Sequence, residues 1–120
     1  MKSDYTDLDV WKKCRLPVNN IYDLTKKFPK EELYSLTNQL RRCAISIPSN
    51  IAEGCGRQHV NDSLQFFYFA RGSLYELETQ LFLSRDQNYI AEEELNIFLN
   101  LILECKKLLN GFIKYYKSLK

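Results

Sequence analysis

The sequence predicts an all-α protein, a single-domain up-down-up-down antiparallel four-helix bundle, and three observations carry that prediction. Apolar residues fill 45% of the 120 positions and aromatics 13%, enough to build a core in one domain of this length. Only four glycines and three prolines occur, too few to punctuate the short strands of a sandwich or barrel. Apolar residues recur at steps of three and four along four segments, about residues 8–28, 31–53, 61–88 and 91–119. The connections between them are short, which leaves room only for antiparallel neighbours.

The first segment carries Trp11, Cys14, Val18, Ile21 and Thr25 on one face. Pro17 lies inside it and removes a backbone bond to Lys13 while crowding that carbonyl, which predicts a kink or a break. Phe28 and Pro29 end this helix. Pro29, Glu31 and Glu32 then suit the first turn of a second, with proline at its start and carboxylates at the positive end of the dipole. Its apolar stripe is Leu33, Leu36, Leu40, Ala44, Ile47 and Ile51; Pro48 should bend it, and Gly54 and Gly56 favour its end. The third helix opens near Asn61, a residue of the N-cap type, and sets Phe67, Ala70, Leu74, Leu77 and Leu81 along a coiled-coil-like seam. Phe66, Phe69 and Ser73, beside Tyr68 and Phe82, widen that face, so this helix is central or lines a subunit interface. Asn88 and Tyr89 make the next turn. Glu92, Glu93 and Glu94 open the fourth helix, whose seam runs through Leu95, Phe98, Ile102, Cys105, Leu109, Phe112, Tyr116 and Leu119.

Several function classes are excluded as expectations. The four cysteines are scattered, with no CxxC pair and no histidine at ligand spacing, so no zinc or other metal is expected. No helix carries the Glu-x-x-His pair of a di-metal bundle. His59, the single histidine, falls in a polar turn and reads as a solvated loop residue, which leaves no base for a nucleophile. Gly54 and Gly56 match neither a P-loop nor a dinucleotide fingerprint. The expectation is a protein that is not an enzyme and takes no cofactor or small-molecule substrate. The start of the chain, MKSDYTDLDVW, is acidic where a secretory signal would be basic and apolar, and no long apolar run occurs. A cytoplasmic protein with reduced thiols is expected.

Two polar patterns are candidate sites. Gln39, Arg42, Ser46, Asn50 and Glu53 form a stripe along the second helix, and Arg71 and Glu78 of the third helix are expected to pair with it. Such a network fixes helix register or subunit contacts; a ligand or nucleic-acid contact is the other reading. The second pattern is basic. Lys106, Lys107, Lys114, Lys117 and Lys120 fall in a C-terminal run without an acid, interleaved with Tyr115 and Tyr116. These side chains suit phosphate contact and base stacking, or equally a solvated helix end complementing its dipole. Arg41 and Arg42, taken with Arg57, offer another phosphate contact near the turn between helices two and three.

The runs QLRRCAISIPSNIAEGCGR (residues 39–57) and FFYFARGSLYELETQL (residues 66–81), with the Phe28-Pro29 turn and Tyr89, resemble the four-helix-bundle proteins encoded in bacterial 23S ribosomal-RNA intervening sequences. The resemblance covers nearly the whole chain. It implies a small bacterial bundle that forms a ring-like homo-oligomer, a pentamer, and that is related to the accessory variability determinant of diversity-generating retroelements. That relative is a strongly basic nucleic-acid-binding helper, whereas this chain carries a net charge of only +2. The expected function is therefore a non-catalytic oligomer that binds RNA, DNA or a nucleic-acid-processing protein. The alternative is a protein-interaction scaffold with no nucleic-acid contact.

Overall fold

The computed structural model describes residues 4–120; the reading of the chain start falls partly on residues 1–3, which lie outside that range. Four α-helices follow one another: α1 (Asp9–Thr25), α2 (Leu36–Cys55), α3 (Val60–Asp86) and α4 (Glu92–Lys117), with short 3₁₀ turns at Tyr5–Asp7 and Lys30–Glu32. They pack into a body of 46 × 25 × 23 Å, about the length of one long helix.

Contacts between neighbours fix the directions. Along α2 and α3, Ser46 meets Ser73 and Gly54 meets Phe67, so residue numbers rise on one helix as they fall on the other. The same holds for α3 and α4, through Arg71 with Asn110 and Glu78 with Lys106. It holds again for α1 and α4, through Lys13 with Glu104 and Lys27 with Glu94. Every neighbouring pair is thus antiparallel, and the bundle closes through α1 and α4.

The core is built from the expected seams, except that Leu119, assigned to the end of the fourth seam, lies beyond α4 and is exposed. Phe67, Ala70, Leu74, Leu77 and Leu81 of α3 are fully buried, as are Ile102, Cys105 and Leu109 of α4 and Leu40, Ala44, Ile47 and Ile51 of α2. Phe67 also stacks on Phe112 and Tyr116 of α4, with centroids 5.0 and 4.8 Å away.

Three expectations are corrected by local chemistry. Pro17 does not break α1, which continues through it. The Lys13 carbonyl, denied its helical donor, receives the Cys105 thiol of α4 at 3.7 Å instead. The second helix begins at Leu36 rather than at residue 31. Glu32 stands ahead of it and accepts the Leu36 N–H with one carboxylate oxygen and the Tyr89 hydroxyl, at 2.7 Å, with the other. Leu33 therefore leaves the apolar stripe and is exposed. The third helix is preceded by His59, not Asn61, and no side chain caps it. It ends at Asp86, where Asn88 takes the left-handed conformation (φ 63°). Tyr89 and Asn88 then donate backward to Ser84 and Arg85, closing a Schellman turn.

At that end of the bundle two carboxylates are held ionised. The Tyr89 hydroxyl and then the Leu36 N–H hold Glu32 below the usual carboxylate range. The Ala91 N–H and then Lys27 do the same for Glu94. A depressed folded-state value stabilises the fold above the ordinary glutamate range, and that contribution is lost as pH falls through the depressed value. Urea titrations from neutral to acid pH should show stability falling through that window, with Tyr89→Phe flattening the part due to Glu32.

Gly54 marks the closest helix approach. A Cβ there would fall against the Phe67 ring and 2.9 Å from the Ser63 carbonyl oxygen, whereas one at Gly72 would meet nothing within 4 Å. Gly54→Ala should therefore lose about 1–3 kcal/mol by overpacking, and Gly72→Ala should gain up to about 1 kcal/mol of helix propensity, both read from chemical denaturation.

Candidate nucleic-acid interface

The α2 stripe divides along its length. Ser46 turns inward, donating to the Cys43 carbonyl and lying 2.7 Å from the Ser73 hydroxyl, while Cys43 donates to the Ser73 carbonyl. Asn50 donates to the Ser46 carbonyl at 2.8 Å. Gln39, Arg42 and Glu53 are exposed, and Glu53 pairs with Arg57 one turn on. The inner half seals α2 against α3, and the outer half is solvated.

Arg71 and Glu78 do not join that stripe. Both lie on the opposite flank of α3 and meet α4: Arg71 donates to Asn110 at 3.2 Å, and Lys106 donates to both Glu78 oxygens at 3.0 and 3.1 Å. The expected α2–α3 charge network is thus replaced by an α3–α4 one, because the buried seam of α3 separates these residues from α2.

On this flank cations and aromatic rings interleave. The Arg71 guanidinium lies 5.0 Å and the Lys117 ammonium 5.7 Å from the Tyr68 ring centre, and Lys106 lies 4.0 Å from that of Tyr75. Lys114 occupies the same flank of α4, one turn beyond Asn110, and is exposed. The patch is Arg71, Tyr68, Tyr75, Asn110, Lys114 and Lys117, with Glu78 as the acid that Lys106 offsets. Such a surface can bind phosphates through its cations and a base through an exposed ring.

The other candidates disperse. Lys106 keeps only 13% of its side chain exposed and is committed to Glu78, so it supports the patch from below. Lys107, seven residues before Lys114 on the same stripe of α4, also lines a cleft that has Asp9 in its wall. Lys120 lies past the end of α4. Arg41 and Arg57 do not form one phosphate site, because fourteen residues of helix, roughly 21 Å, separate Arg41 from the end of α2 at Cys55, and Arg57 lies beyond that end. Arg41 is bound to the Thr25 hydroxyl and lies over Tyr22, and Arg57 lies over Phe66. Tyr68, Tyr75 and Asn110 were missing from the sequence-predicted set. The signal for the two tyrosines is their seven-residue spacing with Arg71 between them, which puts all three on one helical flank.

Three of the four thiols are pushed up, and Cys105, drawn down chiefly by its hydrogen bond with Cys14, is fully buried in the core. Burial, followed by Glu76, pushes the Cys43 thiol up, and burial does the same for Cys55. Cys14 shares a hydrogen bond with Cys105, which together with burial pushes its thiol far up. Among the described residues no cluster of three or more histidine, cysteine or acidic side chains is placed to hold a metal, and no helix is long and apolar enough to cross a membrane.

Architecture and surface together define a small antiparallel helical-bundle protein whose distinctive groups lie on helix flanks rather than in a central pocket. The chain belongs to the 23S rRNA-intervening sequence protein family, whose model matches residues 6–111. Among solved structures it is similar to a protein of unknown function from the S23 ribosomal protein family of Bacteroides thetaiotaomicron VPI-5482. The identity is 28% and the TM-score 0.80, over 88% of this chain and 95% of that one. No curated protein matches the chain.

The half-buried Glu78–Lys106 pair supplies a direct test of the flank. Glu78→Gln should cost about 1–2 kcal/mol, because it strands the Lys106 ammonium. Replacing both together, Glu78→Leu with Lys106→Met, should recover most of that loss in a urea double-mutant cycle.

Proposed function

We propose that the protein is a non-catalytic, homo-oligomeric nucleic-acid-binding bundle of the rRNA-intervening-sequence type, working in the cytoplasm and engaging nucleic acid through the α3–α4 flank. The observation that carries this reading is that Arg71 and Lys117 both lie over the Tyr68 ring, 5.0 and 5.7 Å from its centre, with Lys114 on the same flank of α4. A net charge of +2 makes the whole molecule a weak attractor of phosphates, so affinity must come from a local concentration of cations such as this one. Self-association into a ring of five follows from the family resemblance. Exposed apolar side chains away from the basic flank, among them Ile97 at 67% and Phe69 at 50%, supply surface for it.

The second reading is an interaction scaffold without nucleic acid, and the same exposed apolar residues favour it. Light scattering of the purified protein, alone and with short structured RNA or DNA across a salt series, separates the two. Counterion release makes nucleic-acid binding weaken steeply with salt, by a slope of about 0.9 per duplex phosphate contacted. Assembly driven by apolar burial is insensitive to salt. A discrete oligomer that gains nucleic-acid mass at low salt and releases it at high salt supports the proposal. A discrete oligomer that never gains mass leaves the scaffold, and a monomer overturns the assembly. The double substitution Lys114→Glu with Lys117→Glu should abolish binding while leaving the oligomer intact.

A further inference from the structure

A second recess lies where α1 begins and where α2 and α4 end. It is a cleft of about 650 Å³ whose wall includes Asp4, Tyr5, Cys55, Phe112, Tyr115 and Tyr116. The α4 residues in it sit on the flank turned towards α1, away from the lysine-bearing flank described above. Packing holds the wall together. Tyr116 stacks on Phe112 at 5.0 Å and on the buried Phe67 at 4.8 Å, and Tyr115 meets Tyr116 at 6.0 Å. Tyr5 is held edge-on against Trp11 at 5.2 Å.

The charge of this cleft is one-sided. Among the described residues no lysine or arginine lines it, and Asp4 is the one charged side chain in its wall. The Asp4 carboxylate accepts the Tyr5 N–H at 2.8 Å, which fixes it at the start of the 3₁₀ turn, and Cys55 on the far wall feels its charge. Aromatic faces attract cations through the ring quadrupole, and a carboxylate at the rim adds direct attraction. The volume lies in the range of small-ligand sites.

We propose that this cleft binds a small organic ammonium ion, with the ammonium group set among Tyr5, Phe112, Tyr115 and Tyr116 and its charge balanced by Asp4. The site is independent of the nucleic-acid reading, because it uses the other flank of α4.

Cys55 provides the readout. It is half-buried in the cleft wall, whereas Cys14, Cys43 and Cys105 are buried in the core, so native alkylation by uncharged iodoacetamide reports on Cys55. The probes are choline chloride, its uncharged isostere 3,3-dimethyl-1-butanol, and sodium chloride at matched ionic strength. Choline should slow Cys55 alkylation several-fold at saturation, and the two controls should not. Asp4→Asn keeps an acceptor for the Tyr5 N–H but removes the charge, and should weaken choline protection about fivefold, the worth of one exposed ion pair. Protection by choline alone, weakened in Asp4→Asn, supports the site. No protection, or equal protection by the uncharged isostere or by sodium chloride, overturns it, and that comparison needs only the unmodified protein.

Discussion

The close approach of α2 and α3 organises this bundle. It depends on a missing side chain: at Gly54 the α2 backbone comes close enough to α3 that any Cβ would meet the Phe67 ring and the Ser63 carbonyl. Phe67 then does more than fill the gap. Fully buried, it presents its ring to Phe112 and Tyr116, so one side chain joins three helices at the end of the bundle where α2 and α4 stop. Two helical turns up, Ser46 and Ser73 replace bulk with a hydroxyl contact at 2.7 Å, and the two helices stay close along their length. Small residues facing one another set the spacing, and the large residues of α4 close over the result.

Pro17 is tolerated inside α1 for a related reason. Pro17 leaves the Lys13 carbonyl without a helical donor, and an unmet carbonyl in a packed interior is costly. The Cys105 thiol supplies a weak donor from α4, so the irregularity of one helix becomes a point of contact with the next. Glu32 behaves similarly at the other end. Its carboxylate satisfies the first N–H of α2 and also anchors the turn after α3 through Tyr89, which joins two connections far apart in sequence.

Charge is arranged by flank rather than by total. The α3–α4 flank gathers Arg71, Lys114 and Lys117 with Tyr68, while Glu53 and Glu104 neutralise Arg57 and Lys13 elsewhere. On the opposite flank of α4 aromatic rings and Asp4 surround a cleft in whose wall, among the described residues, no cation lies. One helix therefore presents surfaces of different chemistry to different neighbours. A near-neutral net charge is compatible with a local nucleic-acid contact for this reason.

The sequence by itself determined that the chain is all-helical, which residues form the core seams apart from end positions such as Leu33 and Leu119, and which family it belongs to. Each of these rests on periodicity or on local runs such as SIPSNIAEG, which survive without knowledge of partners. The partners themselves were decided by tertiary structure. Arg71 and Glu78 looked like companions of the α2 stripe because helical spacing fixes a residue's angle on its own helix but not which neighbour occupies that angle. Lys106 read as a free cation of the C-terminal run, and only packing against Glu78 and Tyr75 removed it from the surface. The start of α2 shifted because Glu32 found Tyr89, a residue more than fifty positions away whose arrival no local pattern announces. Periodicity encodes which face of a helix is buried, and the fold alone decides what that face meets.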